Sequence, residues 1–246
     1  MRLYDEIIHD ILTSLEKQDK HILPVGAAAD PVSRDWQDAG KAMMILQSDM
    51  AYELGGHNLP AVGNTLVTTG KDFVPEDEII LIGKDLPEIT EDTPDARIAL
   101  LRVAEDSIGT GDRLYNTIRN IGYFRYHIYP KGFMLRVSSS NDRESVRVEA
   151  EALNEGLNFT AIGNAMLRAL HLHKEVEAVK IIFVTDPKVD YGRLQHGLKK
   201  NKQITATIDH MLKDVNMDCG SCGLQEICDE IEGLREMHFG MSEEHT

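Results

Sequence analysis

The run VKIIFVT, from Val179 to Thr185, constrains the fold more than any other stretch. It is short and rich in β-branched and aromatic residues, so it reads as a strand. EIILIG (Glu78 to Gly83), ARIALLRV (Ala96 to Val103) and FMLRVS (Phe133 to Ser138) read the same way. Segments with helical spacing lie between and around these runs. One spans Asp112 to about Tyr126, with Leu114, Ile118, Ile121 and Phe124 on one side. Another spans Phe159 to Leu172, with Asn158 or Thr160 as its cap. Strands alternating with helices predict an α/β (α+β) chain, a mixed sheet with helices packed on it.

The flanks read as helical. Leu3, Ile7, Ile8, Ile11, Leu12 and Leu15 form one apolar face. The breakers Pro24, Gly26 and Pro31 follow. Ala39, Met43, Leu46 and Met50 predict a second helix from about Trp36 to Leu54, closed by Gly55-Gly56. Residues 1–50 are thus expected to be a helical N-terminal extension and residues 51–200 a central α/β domain. Helices over Pro187 to Lys200 and Ile204 to Val215 lead into residues 201–246, a helix plus a cysteine-rich metal-binding module. Asp85 to Asp95 reads as a loop, and GGHNLPAVGNT (Gly55 to Thr65) as a turn, because it lacks the Lys-Ser or Lys-Thr pair of a phosphate loop.

Charge narrows the partners. Lys plus Arg is 26 against 41 Asp plus Glu, a formal net charge of -15. That balance argues against nucleic acid or an anionic membrane, where basic residues must neutralise phosphates. The opening MRLYDEIIHD carries acids early and does not read as a signal peptide, and no stretch is apolar for the length of a bilayer. The expected compartment is the cytoplasm, where thiols stay reduced.

The three cysteines fall together. Cys219 and Cys222 form C-x-x-C, Cys228 follows five residues later, and His238 lies nine beyond that. A C-x-x-C loop turns back on itself and can wrap two thiolates round one ion, while Gly220 and Gly223 relax the bend. Three thiolates and an imidazole suit zinc. Three thiolates and a fourth ligand suit an iron–sulfur cluster. Asp229 or a non-protein ligand could replace His238. A redox C-x-x-C beside a separate Cys228 is the plainer reading, and the acids Asp218, Asp229, Glu230 and Glu232 weigh against an anionic thiolate cluster.

Arg113, Arg119 and Arg125 fall on or near one face of the Asp112–Tyr126 helix, with Arg136 and Arg147 close in sequence. They could line a pocket for a phosphate-bearing cofactor, against the blander reading of a solvated basic face. His171 and His173 are too close along a helix to share a ligand and suit solvated or capping roles. No nucleophile–base arrangement stands out.

From Tyr52 to Asp190 the chain resembles the central domain of acetyl-CoA synthase, the β subunit of the carbon monoxide dehydrogenase/acetyl-CoA synthase complex. The resemblance rests on the order and spacing of ELGGHNLPAV, DEIILIGKDLPEI, LRVSSS and the run from Phe159 through KIIFVTDPKV. In that family the domain is followed by four cysteines, C-x2-C-x8-C-x9-C, holding a [4Fe-4S] cubane. Here the middle spacing is three residues shorter and His238 stands for the fourth cysteine. The resemblance implies a [4Fe-4S] cluster on Cys219, Cys222, Cys228 and His238, with zinc the alternative.

The family's nickel site uses a later Cys-Gly-Cys, which these 246 residues do not contain. The resemblance also implies arginines and a tryptophan near coenzyme A, but the single tryptophan is Trp36, and Arg125 falls at the family's tryptophan position. The expected function is a truncated β-subunit relative, accessory or partial in C1/acetyl-CoA metabolism. Carbon monoxide dehydrogenase, a corrinoid protein or further copies of itself would be its partners. A zinc-stabilised interaction module, or a component of an active CO-methylating acetyl-CoA synthase with nickel ligands from another chain, are the alternatives.

Overall fold

The computed structural model describes residues 3–26, 44–56, 58–104, 129–138, 143–212 and 227. In chain order the elements are α1 (Asp5–Ser14), β1 (His21–Leu23), β2 (Met50–Leu54), β3 (Ala61–Thr68), β4 (Glu78–Ile82), β5 (Asp95–Val103), β6 (Phe133–Ser138), β7 (Arg143–Glu149), α2 (Ala150–Asn154), α3 (Phe159–Leu170), β8 (Val176–Val184) and α4 (Tyr191–Leu212). The five-stranded sheet runs β1-β4-β8-β5-β3, and a three-stranded sheet runs β2-β7-β6. In the larger sheet β3 and β5 are parallel, as are β4 and β8, while β5 meets β8 antiparallel. The smaller sheet is antiparallel throughout. The mixed sheet with packed helices agrees with the expectation from sequence.

β8 is mostly apolar, interrupted only by exposed Glu177 and half-buried Lys180, because most of both its faces is buried. Ala178, Ile182 and Val184 join the apolar cluster under α1 and α4. Val179, Ile181 and Phe183 join the cluster between the large sheet, α3 and the small sheet. β4 divides likewise, Ile80 and Ile82 on one side and Ile79 and Leu81 on the other. Helix α3 begins where Asn158 accepts a hydrogen bond from the Ala161 amide at 2.8 Å, the cap anticipated from sequence. It sits close on the sheet: a Cβ on Gly163 would stand 2.8 Å from Ile79 Cγ2.

The segment read as a helical extension holds one described helix, α1, and one strand, β1, and both pack on the sheet. Ile7, Ile8 and Ile11 of α1 are buried in the same cluster as Leu194 and Leu198 of α4. β1 pairs antiparallel with β4. Buried Asn164 of α3 donates to the Pro24 carbonyl and accepts from the Gly26 amide, pinning the chain as it leaves β1.

Four local expectations are corrected. The described part of the helix expected over Trp36 to Leu54 is not helical: Leu46 is half exposed, and Tyr52 and Leu54 are buried in strand β2 and pair with β7. The turn read over Gly55 to Thr65 covers only its start. Gly55 turns with φ +66, and from Ala61 the chain is a buried strand paired with β5. Strand β7 escaped notice because RESVRVE alternates, burying Glu144, Val146 and Val148 and keeping Arg143, Ser145, Arg147 and Glu149 partly exposed. The two helices expected after Pro187 are one, running through Asn201, whose side chain donates to Asn64 Oδ1 at 2.6 Å. The helix expected over Asp112 to Tyr126 lies outside the described residues. Among the described residues no helix is long and apolar enough to cross a membrane.

Gly163→Ala should lower stability by about 1–3 kcal/mol, because overpacking against Ile79 outweighs the better helix propensity of alanine. Guanidinium denaturation monitored by circular dichroism measures this, and an unchanged or higher midpoint would contradict the close packing.

Candidate functional site

Alternation along β5 puts Asp95 and Arg97 on the same face, towards the small sheet. Across the parallel register Arg97 stands beside Gly63 of β3 and, on its other side, Phe183 of β8. Gly63 offers no side chain, and Glu144 of β7 occupies that space, with its carboxylate where a Gly63 Cβ would be. Three ionisable residues therefore meet inside the protein: Asp95, Arg97 and Glu144 are 0%, 3% and 4% exposed.

Arg97 holds the group together. Its Nε donates to Asp95 Oδ2 at 2.8 Å, and its Nη2 donates to the Glu144 backbone carbonyl. Nη2 also lies 4.0 Å from Glu144 Oε2. Its guanidinium carbon lies 5.3 Å from the centre of the Tyr129 ring, a cation–π distance. Tyr129 heads an aromatic row continuing to Phe133 at 5.3 Å, Phe159 at 6.5 Å and Phe183 at 4.4 Å between centroids. The row joins β6, α3 and β8 around the charges.

The electrostatics follow from burial. Loss of water raises the Asp95 pKa above the usual carboxylate value of 3.8; Arg97 opposes the shift and Glu144 adds to it. Burial disfavours the charged guanidinium of Arg97 too, but Tyr129, Asp95 and Glu144 together carry its pKa above the ordinary arginine value. Asp95 Oδ1 and Arg97 Nη1 have no hydrogen-bond partner among the described residues. An unpaired buried polar atom costs about 1–3 kcal/mol, and a small cavity of about 10 Å³ borders Arg97, lined also by Gly63, Asn64, Ala99, Tyr129, Glu144 and Met166. The group contains no nucleophile beside a base, and its charges are directed at one another. What the geometry accomplishes is to tie the small sheet to the large one.

Sequence reading passed over this cluster. Its signal was present in Asp95 and Arg97, fully buried charges in the mostly apolar run of β5, whose third charge, Arg102, is partly exposed. The residues singled out instead, Arg113, Arg119, Arg125, Cys219, Cys222, Cys228 and His238, lie outside the described residues. Ile227, next to Cys228 in sequence, is buried in the cluster under α1 and α4. Among the described residues no group of three or more His, Cys, Asp or Glu side chains could hold a metal.

The remaining candidates have structural partners. Arg136 Nη1 pairs with Glu53 Oε1 at 2.6 Å, and Arg147 Nη1 donates to the Ile45 carbonyl at 2.8 Å. Arg143 donates to the carbonyls of Gly55 and Leu59, holding the turn before β3. His171 follows α3, and its ring meets the Asp77 carboxylate at 2.9 Å rather than a helix carbonyl. A groove of about 420 Å³ between α1 and α4 is lined by groups of both signs, including Asp10, Asp190, Arg193, His196 and Lys200.

Residues 38–189 match the family described as CO dehydrogenase/acetyl-CoA synthase complex beta subunit. The match takes in β2 to β8 and the Asp95–Arg97–Glu144 cluster, and it overlaps the Tyr52–Asp190 stretch in which the sequence resemblance was seen. No curated protein matches the chain.

Two outcomes are expected of the cluster. Gly63→Ala should cost about 1–3 kcal/mol by colliding with the Glu144 carboxylate. Adding Glu144→Ala makes room, so the double variant should be less destabilised than the two single losses combined; simple additivity in denaturant titrations would contradict the contact. For Asp95, a raised folded pKa means that above pH 3.8 the native state keeps a proton the unfolded chain has released. Its contribution to stability therefore falls as pH rises through the folded pKa. Asp95→Asn should flatten that fall, read as denaturation midpoints as the pH is raised from 3.8, and parallel pH profiles for variant and parent would count against the shift.

Proposed function

Because the chain belongs to the CO dehydrogenase/acetyl-CoA synthase complex beta subunit family, we propose that it serves as an accessory or partial subunit in C1/acetyl-CoA metabolism and binds a [4Fe-4S] cluster. The observation that carries this reading is the order of parts. A segment matched to the family through Val189 is followed, beyond α4, by Cys219-x2-Cys222-x5-Cys228. The donor set fits the group: Cys219, Cys222 and Cys228 supply three thiolates, and clusters are held by thiolates with occasional histidine. His238 is the proposed fourth ligand. Such a cluster would supply one-electron chemistry. A carbon monoxide dehydrogenase or a corrinoid protein is the proposed partner.

His238 also favours a second reading. Three cysteines and a histidine are a common closed zinc set, and zinc would hold the C-terminal segment in shape for protein contacts without redox chemistry. One preparation separates the two. Protein purified without oxygen should contain iron and sulfide in matching amounts, with broad absorption near ~400 nm, and Cys222→Ser should lose both. Stoichiometric zinc in a colourless protein would overturn the cluster and support the interaction module.

A further inference from the structure

We propose that the small cavity beside Arg97 is a binding site for a single neutral hydrogen-bonding molecule, a water, built into the junction of the two sheets. Its size sets the number. A volume of about 10 Å³ is just what a buried water requires, roughly 10–15 Å³ measured this way, and leaves no room for a second.

The lining sets the chemistry. Arg97 borders the cavity and is 3% exposed. Its Nε and Nη2 are engaged by Asp95 and by the Glu144 carbonyl, and Nη1 is the guanidinium nitrogen left without a partner. Glu144 also borders the cavity, its carboxylate lying over Gly63. A guest thus meets a charged donor on one side and a carboxylate on another. An anion would be repelled by the Glu144 carboxylate, and a cation by the guanidinium. A molecule that accepts from Arg97 and donates to Glu144 meets neither objection, and at this volume that molecule is water. Asn64 and Thr65 add polar groups to the wall, and Ala99, Met166 and Leu170 add buried apolar surface. The inference concerns the sheet junction and stands apart from the metal reading.

A crystal structure at a resolution that orders solvent tests it directly. The expected result is a density peak at hydrogen-bond distance, roughly 2.7–3.2 Å, from Arg97 Nη1. A bromide soak should give no anomalous signal at that position. Ala99→Val, which adds methyl groups at the cavity wall, should abolish the peak. If that variant does not fold, water-oxygen magnetic relaxation dispersion on the parent protein gives an independent reading, with a long-lived water expected. Bromide in the cavity, or an empty cavity with Nη1 bonded to a protein group, would overturn the proposal. So would a relaxation profile with no long-lived water.

Discussion

Arg97 spans the junction between two sheets that share no strand. It rises from β5 of the large sheet and bonds the backbone of β7 in the small one. The contact forms because β3 places Gly63, a residue without a side chain, alongside it. Hydrogen bonds to a permanently charged donor are among the stronger ones available inside a protein. A buried charge is nevertheless costly, and a buried ion pair often gains little net stability over an apolar filling. The group is better understood as setting where the sheets meet: a shifted register would leave a guanidinium and two carboxylates without partners in an apolar interior. The aromatic row from Tyr129 to Phe183 packs round the same point and supplies the buried area that the charges do not.

The two faces of the large sheet do different work. The face under α1 and α4 is closed mainly by aliphatic side chains, with Tyr4 and Tyr191 among them, and by the Asn64–Asn201 pair. It also receives Ile227, which ties the residue before Cys228 to the packed core. The opposite face carries the aromatic row and the buried charges, and lies between strands that fall within the family match. The family relationship thus covers the junction of the sheets, while the cysteines come after α4 in the sequence. If those cysteines hold a metal as proposed, its binding free energy adds to the stability of the segment that presents them.

Two of the arginines show that closeness in sequence does not set a side chain's partner. Arg136 and Arg147 lie near Arg113 to Arg125 in sequence, a set for which a phosphate pocket and a solvated basic face are the two sequence readings. In the fold Arg136 neutralises Glu53, and Arg147 holds the carbonyl of Ile45. Each of these side chains finds its partner far away along the chain, on a strand or loop brought beside it by sheet pairing. Helical spacing over Leu46 and Met50 misled in the same way, because pairing of β2 with β7 gave that backbone other hydrogen-bond partners.

What the sequence determined by itself was local and strongly patterned. The apolar runs that became β4, β5, β6 and β8 were legible because burial on at least one face demands such residues whatever the neighbours. The start of α3 was legible because Asn158 caps it within three residues. The family relationship was legible from the order of those same runs. The tertiary structure alone decided that β2, β3 and β7 are strands, that α1 and β1 join the core, and that Asp95, Arg97 and Glu144 meet. The physical reason is common to all three. β2 and β7 alternate polar with apolar or imitate a helix, β3 is broken by Gly63 and Asn64, and the charged cluster is assembled from residues almost fifty positions apart. No local pattern encodes such a meeting; it arises only when register brings a missing side chain opposite a charged one.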